Sequence, residues 1–421
     1  MRAKVVPAGV YAGPGMSETR SVVVSAVRTP VGKFGGALRD VAAVELGATA
    51  IRAALEQATA AGSRSLAADA LASQVDYVLM GHVVQAGSGQ NPARQAAVAA
   101  GLPTHVPALT LNKVCLASLA AIAIADQLIR AGDIEVAVAG GMESMSQAPY
   151  LLRSNRWGQR LGDGTVVDAL VHDGLWSTFT SQHMGESSDE VNNALGISRE
   201  EQDTWAARSH HRASAAARTG RFDREITPVV VASGAMPTYL QRDEGIRPET
   251  SVARLEALPP AFTPSGTITA GNASQLSDGA AALVVMRADR AEAVGLKPIG
   301  EILAHGMSAT DFAYLHTAPA FAVQRALKRA GREIDDVGLL EVNEAFASVA
   351  LHSTRMLGAD EERVNVNGGS IALGHALGST GARMAVTLLH EMARRGTRLG
   401  AVTLCGGGGQ GEALLLSRPD G

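Results

Sequence analysis

Apolar and polar positions follow two rhythms along this chain, interrupted by a long stretch that keeps neither. Between residues 21 and 146, short apolar runs at 21–26, 75–84, 107–111 and 134–139 predict strands. Segments whose apolar residues return every three or four positions lie between them. One covers 44–58, with Leu46, Ala50, Ile51 and Leu55 on one face; a second covers 93–100, with Pro92 in its first turn. A third carries Leu116, Leu119, Ile122, Ala123 and Leu128 and stops at Gly132. Residues 28–36 and the glycine-rich 85–90 read as loops.

From 147 to 275 the alternation fades into polar, Gly- and Pro-rich pieces. One clear helix, 199–219, stands inside, started by Ser198 with Glu201 three residues on as a capping box. The alternation then resumes. Strands are predicted at 280–286, 299–304, 337–342, 363–366, 401–404 and 413–417, and helices at 318–330, 346–357 and 381–395. Strand and helix in turn argue for α/β architecture. The two regular stretches also echo each other. In each, a helix ending in Arg and Gly leads into a strand and then a glycine run, at Gly140-Gly141 and at 406–409. The echo favours two similar α/β halves, with 147–275 as a large insertion of the kind that often carries substrate contacts.

Length and composition narrow this picture. A chain of 421 residues exceeds one ordinary core. With 46% hydrophobic and 19% charged residues it has a soluble globular mix. The net charge of −4 provides no general attraction for nucleic acid or an anionic membrane. Two cysteines, Cys115 and Cys405, make no disulfide framework, so a reducing cytoplasm is expected. No apolar run is expected to reach the roughly 18 residues of a membrane span. Residues 1–20 lack a contiguous apolar core and read as an extension rather than a signal peptide.

Cys115 falls where a strand turns into a helix, and the positive end of a helix favours a thiolate, the nucleophilic form. Three more clusters lie in the second half. Residues 341–347 place Asn343 and Glu344 directly after a strand, 365–381 form a glycine-rich loop around His375, and 404–411 put Cys405 at a strand end before Gly406 to Gly409. Thiol chemistry needs an activator, a proton shuttle and N–H donors for an oxyanion, which these clusters can supply. Cysteine and histidine show no zinc-type spacing, so no metal is expected.

Taken in order, Asn112-Lys-Val-Cys115, Gly140-Gly-Met-Glu-Ser-Met-Ser146, His183-Met184-Gly185, Gly271-Asn-Ala-Ser274, Asn343-Glu-Ala-Phe346, the His375 loop and the Cys405 loop resemble the thiolases. Within them, the acetyl-CoA C-acetyltransferase (acetoacetyl-CoA thiolase) group is most similar, and the likeness runs over residues 21–417. It implies two βαβαβαββ halves in an αβαβα five-layer sandwich. The first half would be 21–146 with 276–298, the inserted loop domain 147–275, the second half 299–421, and 1–20 an N-terminal extension. By the same resemblance Cys115 would be the acylated nucleophile and His375 its activator. A water held by Asn343 would join His375 in one oxyanion hole, and the N–H groups of Cys115 and Gly407 would form another. Cys405 would be the acid/base for the second acetyl-CoA. His183, Arg247, Ser274 and Phe346 would contact coenzyme A. No tightly bound cofactor is implied. The partners would be acetyl-CoA, acetoacetyl-CoA and CoA, and a homo-oligomer, dimer or tetramer, is expected.

Two positions depart from the family pattern. Cys-x-Ser-Gly is usual at the nucleophile, whereas Leu116-Ala117-Ser118 follows Cys115; Gly-His-Pro is usual at the histidine, whereas Ala376 follows His375. Neither change removes a reacting group. The alternatives are a degradative 3-ketoacyl-CoA thiolase of longer chain range and a thiolase-like acyl-CoA-binding protein with little turnover. Ketosynthases with Cys-His-His and HMG-CoA synthases with Cys-Glu-His share the fold, but Cys405 with its glycine run speaks against both.

Overall fold

The computed structural model describes residues 19–60, 67–232 and 237–419. The extension expected over 1–20 therefore lies outside the described residues, apart from 19 and 20. Nine strands form one continuous path: β1 (Ser21–Arg28), β2 (Tyr77–Gly81), β3 (Ala108–Leu111), β4 (Val136–Ser144), β5 (Ser277–Arg287), β6 (Gly300–Ala309), β7 (Leu339–Val342), β8 (Leu399–Gly406) and β9 (Gln410–Ser417). Their spatial order is β7-β8-β9-β6-β1-β5-β4-β2-β3. The two halves meet where Val22 and Val23 of β1 pair with Glu301 and Gly300 of β6.

The principal helices are α1 (Ala43–Ala60), α2 (Pro92–Ala99), α3 (Ala117–Ala131), α4 (Met184–Leu195), α5 (Arg199–Arg218), α6 (Ala318–Ala330), α7 (Ala347–Leu357) and α8 (Thr380–Arg395). Five layers follow from how the strands divide their side chains. Successive strand residues point to opposite faces. Ala282, Val284 and Met286 of β5 therefore pack with α1 and α2, while Ala281, Leu283 and Val285 face the central layer. That layer is α3 and α8, gripped from the other side by Val402, Leu404, Leu414 and Leu416 of β8 and β9. Ala401, Ala413 and Leu415 face outward onto α6 and α7. Leu283 is wholly buried in the central layer. Trimming it to Ala there should cost about 2–5 kcal/mol.

Within each half the first strand pairs with the fifth, the fifth with the fourth, and the fourth with the second. β3 completes the first half beside β2. Its counterpart in the second half, expected as a strand at 363–366, is only an isolated bridge between Val364 and Leu340. The reason is local. Asn365 adopts a left-handed φ of 47°, and its side-chain amide accepts from Val342 N–H and donates to the Val342 carbonyl, each at 2.8 Å. A side chain thus takes over hydrogen bonds that a continuing strand would make.

Other expected bounds shift for identifiable reasons. The strand expected over 75–84 stops at Gly81, because the N–H groups of Val83 and Val84 turn to the Glu143 carboxylate. The strand expected to end at Ala139 runs on through Gly140 and Gly141 to Ser144. At Gly141 a Cβ would strike the Gly378 carbonyl, so only glycine lets these backbones approach. Contrary to expectation, residues 114–131 have the length and mean hydropathy, 1.7, of a membrane-spanning helix. Most of that segment is buried between the sheets as a core helix.

Candidate active site

The two central helices begin at equivalent points of the two halves. Each follows the third strand position of its half, and their first turns are joined: Ser118 Oγ accepts the Ala382 N–H at 3.0 Å. Ser118 is one of the departures from the family pattern. Its side chain is fully buried, in the space left by the missing Cβ of Gly141. Cys115 stands just ahead of α3 and His375 just ahead of α8. Both line one cavity of about 320 Å³, together with Cys405, Gly407, His183, Ser274 and Phe346. Apolar side chains, among them Leu175, Met184, Phe262, Leu315 and Leu377, complete the wall. A larger open groove of about 760 Å³, near Arg20 and Arg418, contains none of these reactive groups.

The backbone bends sharply to present Cys115. Val114 has φ 51°, a rare state for a β-branched residue and a cost of roughly 1–3 kcal/mol. It is held there by Asn112, whose Oδ1 accepts the Val114 N–H at 2.9 Å, and by Leu116 and Ala117, which donate to the Lys113 and Val114 carbonyls. Lys113 itself is paired with the buried Glu412.

The electrostatics correct one expectation. Burial pushes the Cys115 thiol up to about 12; its own N–H and that of Gly407 act the other way, while Glu143 adds to the rise. Enclosure therefore outweighs the helix terminus, and the resting group is a thiol rather than a thiolate. The same observation places two backbone N–H groups, those of Cys115 and Gly407, at the sulfur. Cys405, fully buried as the penultimate residue of β8, is also raised well above the ordinary thiol range, by burial first and then by the charge of Cys115.

His375 is pushed down to about 3, by burial and then by Arg383, so its imidazole is neutral at physiological pH. Its Nδ1 lies 2.7 Å from Thr380 Oγ1, which is 2.9 Å from the Ala376 carbonyl. A hydrogen on Nδ1 satisfies that chain and leaves a lone pair on Nε2. Nε2 is buried and has no partner among the described residues. The site thus holds a neutral base beside a neutral thiol.

On the wall supplied by 147–275, His183 caps α4, its Nδ1 accepting the Gly185 N–H at 3.1 Å. Its ring stacks on Phe262 at 4.7 Å, and Phe262 meets Phe346 edge-on at 6.0 Å. A Cβ on Gly185 would enter the Phe262 ring, which explains the glycine.

Two residues singled out from sequence do not reach this wall. Arg247 is exposed, and its backbone N–H binds His210 Nδ1 at 3.1 Å. Asn343 is buried behind the wall, with Oδ1 on Ser370 and no partner for Nδ2 among the described residues. Its neighbour Glu344 is a tie and not a reacting group. It accepts from Trp205 Nε1, Ser209 Oγ, Asn365 Nδ2 and the Ile371 N–H at 2.7–3.0 Å, fastening α5 to the loop that leads to His375. Sequence reasoning missed Thr380, Ser370 and the aromatic wall at Phe262. Thr380 and Ser370 sit within the glycine-rich loop already marked, whereas Phe262 has no periodic signal around it.

A sheet-bounded pair of helices that aims a cysteine, a histidine and a second cysteine at one apolar cavity is the layout of a thiolase, and the chain belongs to that family. Its N-terminal domain model, "Thiolase, N-terminal domain", matches residues 21–289, and "Thiolase, C-terminal domain" matches 296–418. The "Probable acetyl-CoA acetyltransferase" of Mycolicibacterium smegmatis is 50% identical over 94% of this chain and 100% of its own. The "Acetyl-CoA acetyltransferase" of Pseudomonas aeruginosa is 49% identical over 94% and 99%. The crystal structure of the Bacillus anthracis acetyl-CoA acetyltransferase superposes with a TM-score of 0.90 at 38% identity, covering 96% of this chain and 99% of that one.

Proposed function

We propose that this thiolase joins two acetyl-CoA into acetoacetyl-CoA and CoA, reversibly, through an acetyl group carried on Cys115. The observation that carries this reading is the sharing of one cavity by Cys115, His375, Cys405 and the Gly407 N–H. The family and its similar relatives point to the same chemistry.

The proton movements balance. Nε2 of His375 takes the Cys115 proton as the sulfur attacks the acetyl carbonyl of the first acetyl-CoA. The N–H groups of Cys115 and Gly407 receive the oxyanion. CoA departs with the proton of Cys405, leaving acetyl-Cys115, imidazolium and a Cys405 thiolate. Cys405 becomes a thiolate only by giving its proton to the departing CoA, so the base for the second half-reaction appears only after the first. The Cys405 thiolate then takes the α-proton of the second acetyl-CoA. The enolate, stabilised beside His375 and a water on Asn343, attacks the acetyl carbonyl. Cys115 leaves as thiolate and recovers its proton from His375.

In this reading 147–275 is the inserted loop domain, with His183, Ser274 and Phe346 contacting the pantetheine side of coenzyme A and Arg247 available to its outer part. Coenzyme A thioesters are substrates and no tightly bound cofactor takes part. The reading also includes a homo-oligomer, dimer or tetramer, working in the cytoplasm, consistent with two unpaired cysteines. Mass spectrometry after adding acetyl-CoA tests the core claim: a mass gain of one acetyl group on Cys115 is expected, and acetylation elsewhere with none at Cys115 would refute it.

A further inference from the structure

Asn343 can donate to an oxyanion or to its water only if its amide presents NH2, not oxygen, to the reaction, and the two orientations differ by a mere flip. The chain contains a device that chooses between them. Arg383, buried on α8, places Nη2 3.0 Å from Ser370 Oγ. A guanidinium only donates, so Ser370 Oγ must accept there. Its own hydroxyl hydrogen is then left for Asn343, 2.6 Å away. If the amide were flipped, Ser370 Oγ would face two donors and its hydrogen would have no acceptor in the set, an expensive state for a buried hydroxyl. The oxygen of Asn343 therefore faces Ser370, and Nδ2 is free on the opposite side, where it has no partner among the described residues.

The hydroxyl is itself held in place. Ser370 opens the short helix Ser370–Leu373, and the N–H groups on either side of it are committed: Gly369 to Ser209 Oγ at 3.0 Å, and Ile371 to Glu344 Oε2 at 3.0 Å. Beyond Ser370, the Arg383 guanidinium is within 3.7 Å of Glu341, on the strand that ends just before Asn343.

We propose that Ser370, polarised by Arg383, is a positioning residue that locks Asn343 as a hydrogen-bond donor for the enolate-forming half-reaction. The proposal rests on the role assigned to Asn343 above. It assigns Ser370 no contact with substrate and no part in acylating Cys115.

Three variants, Ser370→Ala, Ser370→Cys and Ser370→Thr, are compared with Asn343→Ala. For each, the rate of Cys115 acetylation is measured by mass spectrometry, and kcat and KM for condensation are measured separately. In Ser370→Ala, acetylation should stay within about twofold of wild type while condensation kcat falls about tenfold to a hundredfold, as for a weakened oxyanion donor. KM should change little. Ser370→Cys keeps most of the side-chain volume but is a weak donor, so it should follow Ser370→Ala, and it carries the test if the alanine variant fails to fold. Ser370→Thr keeps the hydroxyl and should recover most of the rate. If Asn343→Ala impairs condensation and Ser370→Cys does not, Ser370 merely packs and the proposal is overturned. If Asn343→Ala itself leaves condensation intact, the role of Asn343 fails and the proposal falls with it. Equal loss of both half-reactions in Ser370→Ala and Ser370→Cys would also overturn it.

Discussion

The carboxylate of Glu143 accepts the Gly378 N–H at 2.9 Å, tying the end of β4 in one half to the loop that carries His375 in the other. The same carboxylate accepts the N–H groups of Val83 and Val84 and lies 3.3 Å from His82 Nε2, all of it buried. Each oxygen accepts at least one backbone N–H, so an amide has no acceptable orientation here. Glu143→Gln should cost about 2–4 kcal/mol, since at least one buried N–H must then face an NH2 group. Urea unfolding measures this directly, and a loss below about 0.5 kcal/mol, the size of an ordinary surface change, would mean that the tie is dispensable.

Cys405→Ala separates the half-reactions. Acetylation of Cys115 should be slowed but persist, because its proton still goes to His375 and CoA can leave as a thiolate that water protonates, while carbon–carbon bond formation stops for lack of a base. The check is a mass spectrum showing acetyl-enzyme alongside an absence of acetoacetyl-CoA. Loss of the acetyl-enzyme to the same degree as the product would contradict this division of labour.

Burial raises the Cys115 thiol to about 12 and lowers His375 to about 3, which makes the resting pair neutral. Alkylation of Cys115 by iodoacetamide should therefore keep accelerating with pH past 9, beyond the ordinary thiol value near 8.5. Rates followed from pH 6 to 10 decide this. A plateau below pH 8 would reveal a preformed thiolate–imidazolium pair instead.

Ala376 stands where the family usually has proline, and its N–H makes no backbone hydrogen bond among the described residues. A proline there forfeits no donor. Ala376→Pro should stabilise by about 0.4–1 kcal/mol by restricting the unfolded chain. A lower melting temperature would show that the buried ring cannot be housed beside Gly279.

Glu391, buried on α8, has its pKa raised by burial, but hydrogen bonds from Arg394, Asn367 and Arg395 prevail and bring it down to about 2. A depressed carboxyl stabilises the fold above its unfolded value, and this contribution fades as pH falls from about 4.5 towards 2. Both arginines are well exposed, so solvent discounts the effect. Glu391→Gln should thus cost about 1–2 kcal/mol at pH 7, and the gap from wild type should narrow below pH 4.5. A gap that is constant from pH 7 to 3.5 in denaturant titrations would rule out this linkage.

What could be read from sequence was what local chemistry dictates. Ser198 and Glu201 form the anticipated capping box, and the helix expected at 318–330 is α6. Cys115, His375 and Cys405 do meet in one cavity. What could not be read depends on partners far along the chain. Nothing near residue 365 signals that an asparagine side chain replaces a strand. Nothing near Glu344, placed among reacting groups by its position after a strand, signals that Trp205 and Ser209 claim its oxygens. The resting state of Cys115 likewise depends on how many atoms surround it, which a strand-to-helix junction does not reveal.

Ser118, by joining the first turns of α3 and α8, sets two helix N-termini side by side near the cavity. Each such terminus acts as roughly half a positive elementary charge, so together they approach one. A lysine placed there could supply the same field, but it would lose its charge once burial lowered its pKa. Peptide dipoles have no proton to give up. The attraction this pair of helices exerts on a forming oxyanion is therefore the same in acid and in alkali, and the pH dependence of the reaction comes from its titratable side chains, the thiols and the imidazole among them.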